Sequence, residues 1–239
     1  MVLVAAVALG SSTFAWFVTN NKVTAQTTSI KAQSNAAFMS IEYKATAVGS
    51  TTIAETDWTD QKIALFPAEV KNNSGTPQFV TAYGTSVSDG TKLGDYKEVG
   101  NAEKAVTDKY AVGEANNFNI SSAGVNLSDL VIDKIEVTTG DTKDLASAVR
   151  VLVVGSNNWQ VWSAAGKVLE NTADAPLVTT ITRDQDTPIS VYVYYDGNDS
   201  HIYTTNLTNL EGDGNVVGVT ITFSATQPTT VSTPSGGGA

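Results

Sequence analysis

Hydrophobic and polar positions alternate through most of this chain, and the alternation predicts strands. "NVVGVTITFSATQ" (215–227) is the clearest case: Val217, Val219, Ile221 and Phe223 share one face, while Thr220, Thr222 and Ser224 take the other. "AFMSIEYKATAV" (37–48) and "PQFVTAYGTSV" (77–87) read as strands, and "KIALFPAEVK" (62–71) is interrupted by Pro67, which predicts an edge or a bend. In "DLVIDKIEVTTG" (129–140) the alternation places Val131, Asp133 and Ile135 on one face and Ile132, Lys134 and Glu136 on the other. "SAVRVLVVG" (147–155) is almost continuously apolar, as a central strand covered on both faces would be. After the turn "GSNN", "WQVWSAAGKVLE" (159–170) folds back on it as a hairpin. "PISVYVYYDGNDSHIYTTNL" (188–207) is a second hairpin candidate, its arms flanking "DGNDS", with Tyr192 and Tyr194 on one face and Tyr195 opposite.

Helical signals are few. "DWTDQKIALF" (57–66), "NAEKAVTDKYAV" (101–112) and "NLSDLVIDKI" (126–135) are candidates, with Asp108 or Ser128 as caps, and the first and last compete with strand readings. Many short strands separated by polar turns predict an all-β chain: an antiparallel, jelly-roll-like β-sandwich with a few short helices in its loops.

The two ends depart from this pattern. Residues 1–9 are wholly apolar, and "GSST" (10–13) interrupts the run before Phe14, Trp16 and Phe17. An apolar core of roughly seven to fifteen residues followed by small residues reads as an export signal rather than a spanning helix. Cleavage after Ala15 fits, although the first lysine is Lys22 and no basic segment precedes the run. The tail 228–239, "PTTVSTPSGGGA", is low-complexity and reads as a flexible end. The divisions are therefore 1–15 as signal or hydrophobic segment, 16–29 as an extended Thr- and Val-containing segment, 30–227 as the sandwich, and 228–239 as the tail.

Composition narrows the function. Charged residues make up 16% of the chain against about 25% in an average domain, with Thr, Ser, Val, Ala, Asn and Gly in their place. The net charge of −10 disfavours nucleic acid and anionic membrane surfaces, which need clustered cations; the membrane enters only through the N-terminal segment before processing. With no cysteine, disulfides and thiolate metal sites are excluded. His201 is the single histidine, and nothing in the sequence supplies it with both an orienting carboxylate and a nucleophile, so no catalytic residue and no enzyme activity are expected. Paired carboxylates of glycosidase type have a spacing in space that sequence does not reveal.

The acidic turns "RDQD" (183–186), "DGND" (196–199) and "EGDGN" (211–215) offer oxygen ligands. Asp196, Asp199 and Asp213 are the calcium candidates, against ordinary turn chemistry as the commoner use. No other cofactor is expected. Trp159, Trp162, Tyr192, Tyr194, Tyr195 and Tyr203 could make a sugar-binding platform, although packing is the commoner use of such rings. Sequons stand at Asn72, Asn119, Asn126, Asn198 and Asn206.

Two stretches resemble one known family. The apolar run leading into "GSSTFAWF" and a Thr-rich segment is similar to the signal and mature N-terminus of the TasA/camelysin family of biofilm-matrix fibre proteins, substrates of the SipW-type signal peptidase. "VVGVTITFSATQ" (216–227) resembles that family's terminal strand. Together the stretches cover about 40 residues, at opposite ends and in matching order. The resemblance implies a secreted jelly-roll protein of the extracellular matrix or cell surface. It implies a head-to-tail homopolymer formed by donor-strand exchange, in which the freed N-terminal segment of one subunit completes the sheet of the next. Other matrix or cell-wall components are the further partners it implies. Residues 16–29 contain no Pro or Gly and suit addition to a sheet edge, with Trp16, Phe17, Val18 and Val23 as the polymerisation residues. Two alternatives stand beside it: a pilin-like subunit that keeps its N-terminal hydrophobic helix, and a cell-surface adhesin module binding glycan or calcium.

Overall fold

A computed structural model describes residues 23–34, 38–46, 53–56, 61–81, 96–139, 145–199, 202 and 216–227. The described chain is an all-β sandwich with two short helices. Sheet A contains β1 (Val23–Ser34), β3 (Ile53–Glu55), β4 (Gln61–Leu65), β9 (Leu127–Thr139), β13 (Val178–Ile181) and β15 (Val216–Thr226). Its order is β13-β9-β15-β1-β3, and β4 also pairs with β1. Sheet B contains β2 (Met39–Tyr43), β8 (Val112–Ser122), β10 (Val149–Val154), β11 (Trp159–Ser163), β12 (Gly166–Glu170) and β14 (Thr187–Tyr195), in the order β12-β11-β10-β14-β8-β2. Among the described strands the pairings are antiparallel except one: β1 runs parallel to β15.

The main core lies between the sheets. Sheet A contributes Ile30, Ala32, Leu130, Ile132, Ile135, Val219, Ile221 and Phe223, and sheet B contributes Met39, Ile41, Phe118, Ile120, Val151, Val153, Val191 and Val193. A third layer covers the outer face of sheet B. It is a small sheet of β5 (Glu69–Asn73), β6 (Thr76–Thr81) and β7 (Lys97–Gly100), with helix α1 (Ala102–Thr107). Ala68, Val70, Phe79, Val99, Ala105, Leu152, Trp159, Val161, Tyr192 and Tyr194 form its core. This extra layer is why β10 and β14 are apolar on both faces. Val151 and Val153 enter the main core and Leu152 the outer one; likewise Tyr195 points inward while Tyr192 and Tyr194 point outward.

Several expectations are refined. β10 is central and turns into β11 as predicted. The stretch 159–170 is two strands, β11 and β12, joined at Ala164 and Ala165. Pro67 sits at the bend between β4 and β5. β14 pairs with β10 and β8; of its expected hairpin partner, 201–207, only Ile202 is described, outside any strand.

The strict alternation expected in 129–140 fails. A bulge opposite Thr222 and Phe223 leaves Asp133 as the extra residue, so Ile132 and Ile135 both reach the core while Asp133 and Lys134 are exposed. One helix candidate survives, in 102–107, and its N-cap is Asn101, whose side chain accepts from Lys104 N. Asp108 is its C-cap, and Ser128 lies within β9. Residues 61–65 and 127–135 are strand. A second short helix, α2 (Leu145–Ala148), carried no distinct sequence signal.

Candidate functional site

The terminal strand β1 is the feature to which the sequence assigned a role, and its placement is unusual. It is the first strand described, yet it lies inside sheet A with neighbours on both edges. Its sequence, VTAQTTSIKAQS, has no Pro or Gly to interrupt a ladder. Its second half alternates: Ile30 and Ala32 are fully buried, and Lys31 and Gln33 are partly exposed. On one edge, eight register pairs join it to β15, from Gln26 beside Val216 to Ser34 beside Phe223, with an irregularity between Thr27 and Ser29. On the other edge two short strands lie end to end. β4 pairs with residues 23–27 and β3 with residues 31–33.

The gap between β3 and β4 is closed by Thr56. Its hydroxyl accepts from Ile30 N at 3.0 Å, and its own N–H donates to Ile30 O at 3.0 Å. Thr56 is buried, so this pair of bonds fixes Ile30 at one point along the slot. Gln33 Nε2 donates to Thr222 Oγ1 at 2.8 Å across the parallel pair. The Lys31–Glu55 ion pair at 3.4 Å is half exposed and adds little. Burying Ile30 contributes about 1.5–3 kcal/mol. The buried residues therefore define a register: a shift by one residue would turn Ile30 out and Lys31 in.

The expected boundary at 29/30 is crossed by this strand. Val23 opens β1 opposite Leu65; residues 23–27 pair with β4, and Gln26, Thr27 and Ser29 pair with β15, so this stretch is continuous with the rest of β1. Trp16, Phe17 and Val18 lie outside the described residues, as do the segments 1–15 and 228–239, His201, Tyr203, Asn206 and Asp213.

The acidic turn at the end of β14, which holds two of the calcium candidates, packs against a cationic side chain. Arg150 Nη2 lies 2.7 Å from Asp196 Oδ2 and 3.9 Å from Asp199 Oδ2, with all three side chains largely buried. The cation these two carboxylates face is thus a guanidinium. Arg150 also donates to the carbonyls of Ser147 and Val149. Asp196 Oδ1 accepts from Asn198 N, and Asp199 Oδ1 accepts from Ser147 Oγ. Burial raises the Asp196 carboxyl above its ordinary value, a shift that Arg150 opposes. Among the described residues, no three acidic or histidine side chains gather where they could hold a metal ion.

The aromatic residues are used in packing. Tyr192, Tyr194 and Tyr195 are each 3% exposed, too little to stack on a sugar from solvent. Phe79 meets Tyr194 edge-on at 5.1 Å, and Trp159 donates to Gly75 O. Burial pushes the phenols of Tyr194 and Tyr195 well above their ordinary range. Trp162 is half-buried and donates to Gln160 Oε1. Of the sequons, Asn72 and Asn126 are exposed and Asn119 and Asn198 half-buried.

Thr56, Gln33 and Thr222 were not singled out by the sequence as site residues. No sequence reading pointed to them, because a bond between residues 26 or 189 positions apart leaves no local signature. No family model, curated protein or solved structure matches the chain.

Proposed function

We propose that this protein is a structural subunit of an extracellular or cell-surface filament of biofilm-matrix type, joined to its neighbours when the N-terminal strand of one copy fills the β1 slot of the next. The observation that carries this reading is the insertion of β1 between β15 and the β3/β4 edge. A strand at the start of the fold can leave its sheet without unthreading any other element. Its departure exposes β15 on one side and the β3/β4 edge on the other, with the seats of Ile30 and Ala32 open between them.

An identical strand from a second copy makes the same bonds in that slot, so exchange conserves the contacts that the single chain makes for itself. Donation from each copy to the next is head-to-tail and does not close, which gives filaments. Export and cleavage near Ala15 would free residues 16–22 ahead of the donated strand. The assigned role is structural, with no catalytic step, no cofactor and the chain itself as principal partner.

Electron microscopy tests the reading on two forms: the chain starting at Trp16 and one starting at Asn35. The longer form is expected to give filaments. The shorter is expected to give none, and to recover a folded, monomeric state when a peptide of residues 16–34 is added. Filaments from the shorter form, or a longer form that stays monomeric at all concentrations, would overturn the proposal.

A further inference from the structure

The direction of the two terminal strands has a mechanical consequence. β1 begins at Val23 and β15 ends at Thr226, and the two run parallel as neighbours. The N-terminal end of β1 therefore lies at the end of the pair marked by Gln26 and Val216, and the C-terminal end of β15 at the end marked by Ser34 and Phe223. Tension between the chain ends pulls the strands in opposite directions along their own axes. From Ser29 to Ser34 the ladder is regular, and its bonds lie across that axis, slanted and evenly spaced as in a parallel pair, so they share the load at once. Had the two strands been antiparallel, both ends would leave together and the bonds would break singly, in sequence.

We propose that the β1/β15 pair is a mechanical clamp: a shear-loaded junction that keeps the domain folded when tension acts between its N- and C-terminal ends. Its function is to carry tension, and it belongs to the single chain whether or not that chain polymerises.

The eight pairs extend over about 26 Å, taking roughly 3.3 Å per residue. Neither strand has a weak outer edge. β1 is held by five pairs to β4 and three to β3, and β15 by nine pairs to β9. Sliding is opposed by side chains as well. A one-residue slip carries Ile30 and Ala32 out of the core and Lys31 and Gln33 into it, and breaks the Gln33–Thr222 and Ile30–Thr56 bonds. Resistance to force depends on the barrier to leaving the native state rather than on equilibrium stability, and here that barrier requires many bonds to fail together.

Single-molecule force spectroscopy on the full chain tests the clamp by changing only where the force is applied. The chain has no cysteine, so one introduced thiol is a unique handle. Three geometries are compared: N-terminus to C-terminus, N-terminus to Val216→Cys, and Ser34→Cys to C-terminus. The first loads the β1/β15 pair in shear, and the other two peel it from either end. Unfolding through the two termini is expected to need severalfold more force than either peeling geometry. Equal or lower force through the termini would overturn the proposal. Thermal melts of the cysteine variants confirm that they are folded, and the two peeling handles substitute for one another if one variant is not. Because the readout comes from isolated chains, its failure would leave the filament reading standing, and the failure of that reading would leave the clamp.

Discussion

Replacing Thr56 by Val should loosen β1 without altering any residue of β1 itself. Thr56 is 2% exposed, and its hydroxyl accepts from Ile30 N at 3.0 Å. Valine keeps the branched shape and the Thr56 N–H bond to Ile30 O, but it puts a methyl group where the acceptor was. The Ile30 amide is then left without that partner where water cannot reach, which costs about 1–3 kcal/mol. Burying one more methyl returns at most about 0.8 kcal/mol. The net loss is about 0.2–2.2 kcal/mol when that return is realised in full. With a urea slope near ~3 kcal/mol/M, the midpoint falls by up to about 0.7 M at unchanged slope. The exposed Thr138, on β9 of the same sheet, is the control, and its change to Val should stay within about 0.5 kcal/mol of the parent. Hydrogen exchange at the Ile30 amide should quicken in Thr56→Val and not in the control. A Thr56→Val protein with the parent's midpoint and the parent's Ile30 exchange would refute the idea that this bond fixes the strand.

Gly155→Ala and Gly113→Ala should each cost about 1–3 kcal/mol in denaturant titrations, because the new Cβ would fall on the backbone carbonyl of Leu177 or of Val191 and cannot be relieved by a side-chain rotation; a variant within error of the parent would contradict the close approach. Asp196→Asn replaces the carboxyl that faces Arg150 with a group that does not titrate. It should change the pH dependence. The folded carboxyl titrates above its ordinary 3.8, so the folded state keeps the proton to higher pH than the unfolded chain does. Asp196 therefore favours the folded state most below about pH 3.8, and that contribution is lost as pH rises through the raised value. Stability of the parent relative to Asp196→Asn should thus grow on acidification across that window; a constant difference would show that the shift is absent.

The strands of the central layer were legible because their local pattern and their environment agree. The apolar run around Leu152 announced a central strand, and the alternation that set Tyr192 and Tyr194 opposite Tyr195 matches the two cores these rings enter. What covers the outer face was not legible, since β5 to β7 and α1 are assembled from short, turn-rich stretches whose joint core appears only in space. The face assignment in 129–140 failed at Asp133 because a bulge inserts one residue and reverses the alternation beyond it. At the N-terminus, the extended, Pro- and Gly-free character of residues 23–29 was readable, and an end near residue 29 was not borne out: β1 runs on through Ile30 and Ala32 to Ser34. The partner of that strand lies at the other end of the chain, in parallel, a relation that composition and periodicity do not encode. The same distance hid Arg150 from Asp196 and Asp199, which read as oxygen-rich turn residues until the guanidinium was seen between them.

The central claim is that β1 of one copy lies beside β15 of another in the assembled state, and two single-cysteine chains test it most directly. One carries Gln33→Cys and the other Thr222→Cys, positions in register across the β1/β15 pair whose native side chains are hydrogen-bonded. Since the native chain has no cysteine, any thiol cross-link reports this pair alone. When the two chains are mixed, assembled and treated with a short bis-thiol reagent, filaments should yield covalent pairs joining the two different chains, while unassembled chains at low concentration should yield none. Filaments that form from the mixture without such pairs, while separate filaments of a chain carrying both cysteines are bridged within each chain, would contradict the claim.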